Sequence, residues 1–395
     1  MPMANDKKRI VFVINSLTGG GAERAMTNLL AFARDDLAND DVHLVLLDQE
    51  PERHEVDASV QKTTLNARHS LLPSLVQLHG ALKRLRPDVT VSFLTRSNCA
   101  NVVASALLRR PCVISERVHT SSHFGKRLAS LGSRLMVRLL YPWADHVIAV
   151  SGNVKQDLVE NFGVPAERIS VIGNGISTDT IAGRASEAPA IALPDTFIAA
   201  AGRLVPTKNF ALLIEAYHRS GLPFPLVILG EGPERPKLAS LVETLGLGGR
   251  VLMPGYVANP YPVIRRARMF VSSSNAEGFP NALVEAMALG CPVVATDCEA
   301  GPAEILDSAE RADQEPIVAP YGILVPVNAP QALARAMQMM AEEPMRLSFS
   351  LKARQRAADY APDQVVKRYM AVLGTILYKA ETTPAAADGN VFLGP

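Results

Sequence analysis

A chain of 395 residues, 48% hydrophobic and 20% charged, has material for two domains with separate cores, and this composition excludes intrinsic disorder. With 40 Lys+Arg against 39 Asp+Glu the formal net charge is +1, which excludes a protein built as a whole to hold a polyanion. The balance is not uniform: from Lys62 to Arg138 there are 13 basic residues and 2 acidic ones, so one region of the first half is strongly cationic.

The start, MPMANDKKRIVFVIN, is too charged and its apolar run too short for a signal peptide. No run of about 18 apolar residues follows, so a cytoplasmic chain without a bilayer span is expected. Short apolar runs alternate with helical periodicity: RIVFVIN (9–15), VHLVLLD (42–48), DVTVSFL (88–94), PCVISE (111–116), HVIAVS (146–151) and RISVIGN (168–174). That alternation predicts a parallel sheet covered on both faces, with ligands bound beyond the carboxyl ends of its strands.

After the first strand, NSLTGGGAERAMTNLL (15–30) places Gly19, Gly20 and Gly21 before a helix. Backbone N–H groups there are open to an anion, although a plain strand-to-helix turn reads the same way. The loop is neither GxGxxG nor a Walker A sequence, which argues against a dehydrogenase or an ATPase. After the fourth strand, ISERVHTSSHFG (114–125) supplies Glu116, Arg117, His119 and His123 as active-site candidates or as polar surface. Then FGKRLASLGSRLMVRLLYPWADH (124–146) spaces Phe124, Leu128, Leu131, Leu135 and Leu139 by three and four, flanked by Arg127, Arg134 and Arg138. With LKRLRP (82–87) and LLRRP (107–111) this forms a basic amphipathic face suited to an anionic membrane, unless the leucines face the core. Nucleic acid is not expected, because no recognised module or aromatic interleaving accompanies the basic residues.

Residues 176–195 lack periodicity and read as a linker between a first Rossmann-like domain (1–175) and a second (196–361). The second repeats the pattern with FIAAAG (197–202), PLVILG (225–230), RVLMPG (250–255), MFVSSS (269–274), CPVVATD (291–297) and a late GILVP (322–326). AGRLVPTKNF (201–210) sets Arg203 and Lys208 in one loop, where two cations suit a diphosphate, and offers Asn209 as a helix cap. LGEGPERPKL (229–238) brings Gly230, Glu231 and Gly232. MPGYVANPYPVIRRAR (253–268) brings Tyr256 and Val257, a wall and backbone edge for a flat ring or else core residues.

EGFPNALVEAMALG (277–290) carries Glu277 in a loop and Glu285 eight residues on, in the helix that Asn281 is expected to cap and Gly290 to end. Cys99, Cys112, Cys291 and Cys298 form no CxxC pair and sit among apolar neighbours, which predicts buried free thiols and no zinc site. A helix over 362–380 is expected to pack back on the first domain, and 381–395 reads as a flexible tail.

TGGGAER, GRLVPTKN, LGEGPER and the E-x7-E segment EGFPNALVEAMALGCPVVATD together resemble the succession in retaining GT-B glycosyltransferases of family four, over nearly the whole chain. CEAGPAEIL (298–306) is similar to bacterial enzymes that extend lipid-linked oligosaccharides, N-acetylgalactosamine transferases among them. The resemblance implies a GT-B fold: two Rossmann-like domains facing across a cleft, with the C-terminal helix crossing back. It implies a nucleotide-sugar donor whose ribose meets Glu285 and whose sugar lies beside Glu277. Backbone N–H groups of Phe279, Asn281 and Ala282, after Gly278, would meet phosphate or sugar oxygens. Gly20, Gly21, Glu231, Tyr256 and Val257 complete the donor set, and Glu116 and His119 would serve the acceptor side.

Arg203 and Lys208 would neutralise the leaving diphosphate, so no metal and no cofactor is expected; nor is there a DxD motif or a ligand-spaced His/Asp cluster. A UDP-sugar and a lipid-linked acceptor at the inner face of the cytoplasmic membrane are the expected substrates. The alternatives are a GDP-mannose-dependent transferase, a GT-B epimerase or phosphorylase, and an inactive nucleotide-sugar-binding scaffold. Retention would proceed by front-face attack, without a glycosyl-enzyme intermediate.

Overall fold

The computed structural model describes residues 7–124 and 131–382. Leu128, Arg127 and the tail beyond Thr382 lie outside these residues. The first domain runs β1 (Arg9–Ile14), α1 (Gly21–Phe32), β2 (Asp41–Leu46), β3 (Gln61–Thr64), α2 (Leu71–Leu85), β4 (Val89–Phe93), α3 (Thr95–Leu108), β5 (Cys112–Glu116), α4 (Thr120–Phe124), α5 (Leu131–Leu140), β6 (His146–Ala149), α6 (Gly152–Phe162) and β7 (Ile169–Val171). Its strands form one parallel sheet in the order β3-β2-β1-β4-β5-β6-β7.

The second domain runs α7 (Thr178–Ala185), β8 (Ile198–Ala201), α8 (Phe210–Ser220), β9 (Leu226–Leu229), α9 (Arg235–Thr244), β10 (Val251–Gly255), α10 (Tyr261–Ile264), β11 (Met269–Ser272), α11 (Asn281–Ala288), β12 (Val293–Thr296), α12 (Pro302–Leu306), β13 (Ile317–Ala319), β14 (Gly322–Val325), α13 (Pro330–Ala341) and α14 (Glu343–Ala357). Its sheet is ordered β10-β9-β8-β11-β12-β14-β13, parallel except for antiparallel β13. In both sheets strand order reverses at the first strand. The loops after β1 and β8 therefore sit at switch points, where a doubly wound sheet opens a crevice.

Strands such as β1, β4 and β12 are buried almost throughout because helices cover both faces. On one face of the first sheet Ile10, Phe12 and Ile14 meet Leu29 and Leu30 of α1. The same cluster takes Val365, Tyr369 and Leu373 of α15 (Pro362–Thr382), so the last helix leaves the second domain and packs on the first. On the other face Val11 and Val13 meet Leu78 of α2 and Ala100 and Ala104 of α3. The free cysteines are all buried, and burial pushes the Cys99 and Cys112 thiols up to about 12.

Three features depart from the sequence reading. β3 is a polar edge strand, QKTT, without an apolar run to betray it. β13 is short and half-exposed. Residues 178–185, expected within a structureless linker, form α7, capped by the Ser177 hydroxyl accepting from the Thr180 N–H at 3.2 Å.

The expected stripe divides: Phe124 packs against a first-domain core cluster, whereas the leucines of α5 at 131, 135 and 139 do not. Leu131, Leu135 and Leu139 are 57%, 56% and 59% exposed and do not face the core. Leu72 and Val76 of α2, Leu107 of α3 and Trp143 are exposed on the same helical layer. Among the described residues no helix is long and apolar enough to cross a membrane.

Candidate functional site

Loops at the carboxyl ends of both sheets converge on one cleft. From the second domain, the turn after β8 holds Arg203 exposed and Lys208 partly buried. Asn209, at φ +45°, caps α8 by accepting from the Leu212 N–H at 3.3 Å, and its amide donates to Asn275 Oδ1 at 3.0 Å. Ser273 Oγ donates to the Lys208 carbonyl at 2.9 Å, tying this turn to the loop after β11. There the Lys208 ammonium donates to Glu277 Oε1, which also accepts from Ser274 Oγ at 2.6 Å. The two residues expected at different parts of the donor are thus an ion pair, with the Glu277 side chain 10% exposed.

Gly230 and Gly232 have no room for a side chain. A β-carbon would stand 1.9 Å from the Gly202 carbonyl and 2.3 Å from that of Leu204. Glu231 between them turns toward Arg235, which donates at 3.1 Å, and lies over Gly255 beside Tyr256. Tyr256 is 62% exposed, which excludes the core reading for it; Val257 is buried in the second-domain core.

The helix start after Glu277 differs from the expected cap. Pro280 takes the capping position and Asn281 is the first residue of α11. The Asn281 side chain turns to the other domain, and its N–H donates to the Phe279 carbonyl at 3.0 Å. Of the backbone donors expected here, those of Phe279 and Ala282 make no hydrogen bond among the described residues. Phe279 puts its ring between Gly173 and Tyr360, with the two rings 5.3 Å apart. Glu285, 3% exposed, points into the cleft from the helix.

The first domain meets these groups with residues that sequence reasoning passed over. Arg24 of α1 forms an ion pair with Glu285. Glu23 curls back over Gly20, and burial raises its carboxyl against the opposing pull of its own N–H and of Arg203. Gly21 faces the Asn281 amide. The Arg53 guanidinium lies 5.4 Å from the Tyr256 ring centroid, a cation–π contact across the cleft. Beside it, burial and the charge of Arg24 hold His54 below its ordinary pKa. Glu304 of α12 crosses in the other direction, accepting the Gly152 and Asn153 N–H groups at 2.7 and 2.9 Å at the start of α6. Arg24 stood in view inside GGGAER; Arg53 and His54 sit in a loop without periodicity, and nothing local announces a partner in another domain.

The acceptor-side candidates divide. Glu116 is fully buried, its carboxylate accepting from the Tyr141 hydroxyl and from the N–H groups of Arg117 and Val118 at 3.0 and 3.4 Å. Burial pushes it up to about 7. Its expected catalytic role is corrected: the side chain faces the first-domain interior and braces the loop from behind. His119 remains at the domain boundary, with Nδ1 2.9 Å from Ser122 Oγ and 3.9 Å from Asp157 Oδ2. Its loop abuts that of Glu277, since a β-carbon on Gly278 would stand 2.0 Å from the Arg117 carbonyl.

Residues 184–364 match the family model "Glycosyl transferases group 1" and residues 19–180 match "Glycosyltransferase Family 4". The chain is 31% identical over 361 residues to an N-acetylgalactosamine-N,N'-diacetylbacillosaminyl-diphospho-undecaprenol 4-alpha-N-acetylgalactosaminyltransferase of Campylobacter jejuni, covering 89% of this chain and 95% of that one. Its structure is similar to HepE of Anabaena in complex with UDP-glucose, at TM-score 0.72 and 21% identity over 93% of this chain and 100% of that one. It is also similar to sucrose-phosphate synthase of Thermosynechococcus elongatus, at TM-score 0.75 and 19% identity over 95% and 100%. These likenesses identify the architecture as GT-B.

Proposed function

Since the chain belongs to glycosyltransferase family four, we propose that it moves a sugar, with retention, from a UDP-sugar such as a UDP-N-acetylhexosamine or UDP-hexose to a lipid-linked glycan in bacterial polysaccharide or glycoconjugate synthesis. The observation that carries the reading is the constellation around α11. Glu285 and the Glu277–Lys208 pair stand at opposite ends of one helix start, with Arg203 in electrostatic reach of Glu23 across the cleft. In this reading the ribose meets Glu285, the diphosphate meets Arg203 and Lys208 without a metal ion, and the sugar meets Glu277. Tyr256 walls the base, and His119, with Nδ1 engaged, presents Nε2 to the reacting sugar. The Campylobacter relative is named for a diphospho-undecaprenol acceptor, which supports the lipid-linked substrate.

The exposed leucines of α5, with Arg138 exposed among them, support docking on the inner face of the cytoplasmic membrane. The test is transfer from a panel of UDP-sugars to a polyprenyl-diphosphate saccharide in vesicles, with the product anomer read by NMR. An α-linked product from an α-linked donor is expected, and sedimentation with the vesicles should depend on anionic lipid and weaken in Leu135→Ser/Leu139→Ser. A β-linked product would refute retention; lipid-independent sedimentation would refute docking through this face.

Arg24 adds a consequence. A ribose that binds Glu285 competes with a guanidinium already there, so Arg24→Met should tighten UDP binding severalfold, the scale of a partly exposed ion pair (about 1 kcal/mol). Weaker UDP binding by calorimetry would instead make Arg24 a donor contact.

A further inference from the structure

One chain of hydrogen bonds joins the last helix to the start of α11. The Tyr369 hydroxyl on α15 lies 3.3 Å from Arg117 Nη1, which donates to it and to Ser115 Oγ at 3.1 Å. Arg117 Nη2 donates to Asn174 Oδ1, just beyond β7, where the chain leaves the first domain. Asn174 Nδ2 then donates to Asn281 Oδ1 at 2.5 Å. Arg117 and Asn174 are both 7% exposed, and the Arg117 guanidinium lies 4.8 Å from the Phe93 ring centroid.

The acceptors of Arg117 are all neutral. The adjacent carboxylate, Glu116, is engaged with Tyr141 and with backbone N–H groups. A guanidinium is a rigid planar fork, so donors held by Ser115, Tyr369 and Asn174 fix its orientation closely. That orientation passes through Asn174 to the first residue of the helix bearing Glu285. Alongside, the Arg117 carbonyl presses on Gly278, next to Glu277.

We propose that Arg117 and Asn174 are positioning residues for sugar transfer. Their tether sets the relation between the His119 loop and the start of α11 without touching the donor, an inference that rests on the donor site proposed above. The nucleotide anchors Glu285, Arg203 and Lys208 all belong to the second domain, so loss of the tether leaves them in place. What it disturbs is the alignment of acceptor loop and donor loop, and a misplacement of about 1 Å can cost on the order of 10²-fold in rate.

The test compares Asn174→Ala, Arg117→Met and the double variant with the wild-type enzyme, by steady-state kinetics and by calorimetric titration of UDP. Asn174→Ala is expected to lower kcat by roughly 30- to 100-fold while the UDP Kd stays within about twofold. In a serial tether the double variant is no slower than the slower single one, whereas independent structural effects would multiply. If Arg117→Met does not fold, the kcat-against-Kd split in Asn174→Ala decides alone. Wild-type kcat in Asn174→Ala, a matching loss of UDP affinity, or multiplicative effects would overturn the proposal. A wild-type enzyme that binds no UDP would instead sink the donor-site reading on which it rests.

Discussion

Glu285→Ala is expected to bind UDP on the order of 10²-fold more weakly than wild type, or more weakly still, in calorimetric titrations without added metal. A hydrogen bond to a charged group contributes roughly 1.5–3 kcal/mol, and a carboxylate facing two ribose hydroxyls makes two. At about 1.4 kcal/mol per decade, losing both amounts to two orders of magnitude or more. The site amplifies the effect because Glu285 is 3% exposed, so bulk water cannot readily stand in for the lost acceptor. Glu285→Gln should fall between the two, since it keeps one acceptor oxygen but loses both the charge and the pairing with Arg24. GDP titrated in parallel assigns the base: a preference for GDP would redirect the donor to guanine nucleotides. Unchanged UDP binding in Glu285→Ala would remove the ribose role altogether.

What the sequence shows of this site depends on the range of the interactions. The strands on both faces of each sheet announce themselves because burial on two sides demands unbroken apolar runs, as in RIVFVI and VVAT. Glu277 and Glu285 are legible because a loop, a proline-stiffened entry and a helix fix their separation locally. Lys208 is legible as a cation at a strand end, but its pairing with Glu277 is not, because a span of 69 residues closes only when β8 and β11 lie side by side.

The direction of Glu116 was hidden for a related reason. It ends a buried strand, and Tyr141, 25 residues later at the start of a short 3-10 helix, draws its carboxylate inward. The chain from Tyr369 to Asn281 and the contacts of Arg24 and Arg53 all unite segments from different domains. No period in the sequence encodes such a meeting.

Glu277→Gln is expected to separate binding from turnover. In the folded chain the Lys208 ammonium and the Ser274 hydroxyl both converge on Oε1 of Glu277, so this carboxylate is committed to holding the cation in place. On the proposed reading, Lys208 must reach the departing diphosphate as its negative charge grows, and Glu277 governs where that ammonium points. Glutamine preserves the shape but not the charge, so Lys208 is free to settle on the ground-state diphosphate. UDP should then bind as tightly as to wild type or more tightly, while kcat falls by on the order of 10² to 10³, the scale seen when an aligned charge-stabilising group is lost. Equal losses in UDP affinity and turnover would make Glu277 a simple binding residue.

On the proposed retaining reading, the same commitment bears on the route of transfer. A nucleophile in double displacement needs a free carboxylate oxygen aimed at the anomeric carbon from the face opposite the leaving group. On the proposed reading Oε1, bound to the cation that would steady the leaving diphosphate, belongs to the leaving-group side. Mass spectrometry of enzyme quenched during turnover should therefore find no glycosyl adduct on Glu277. An adduct there would overturn front-face transfer.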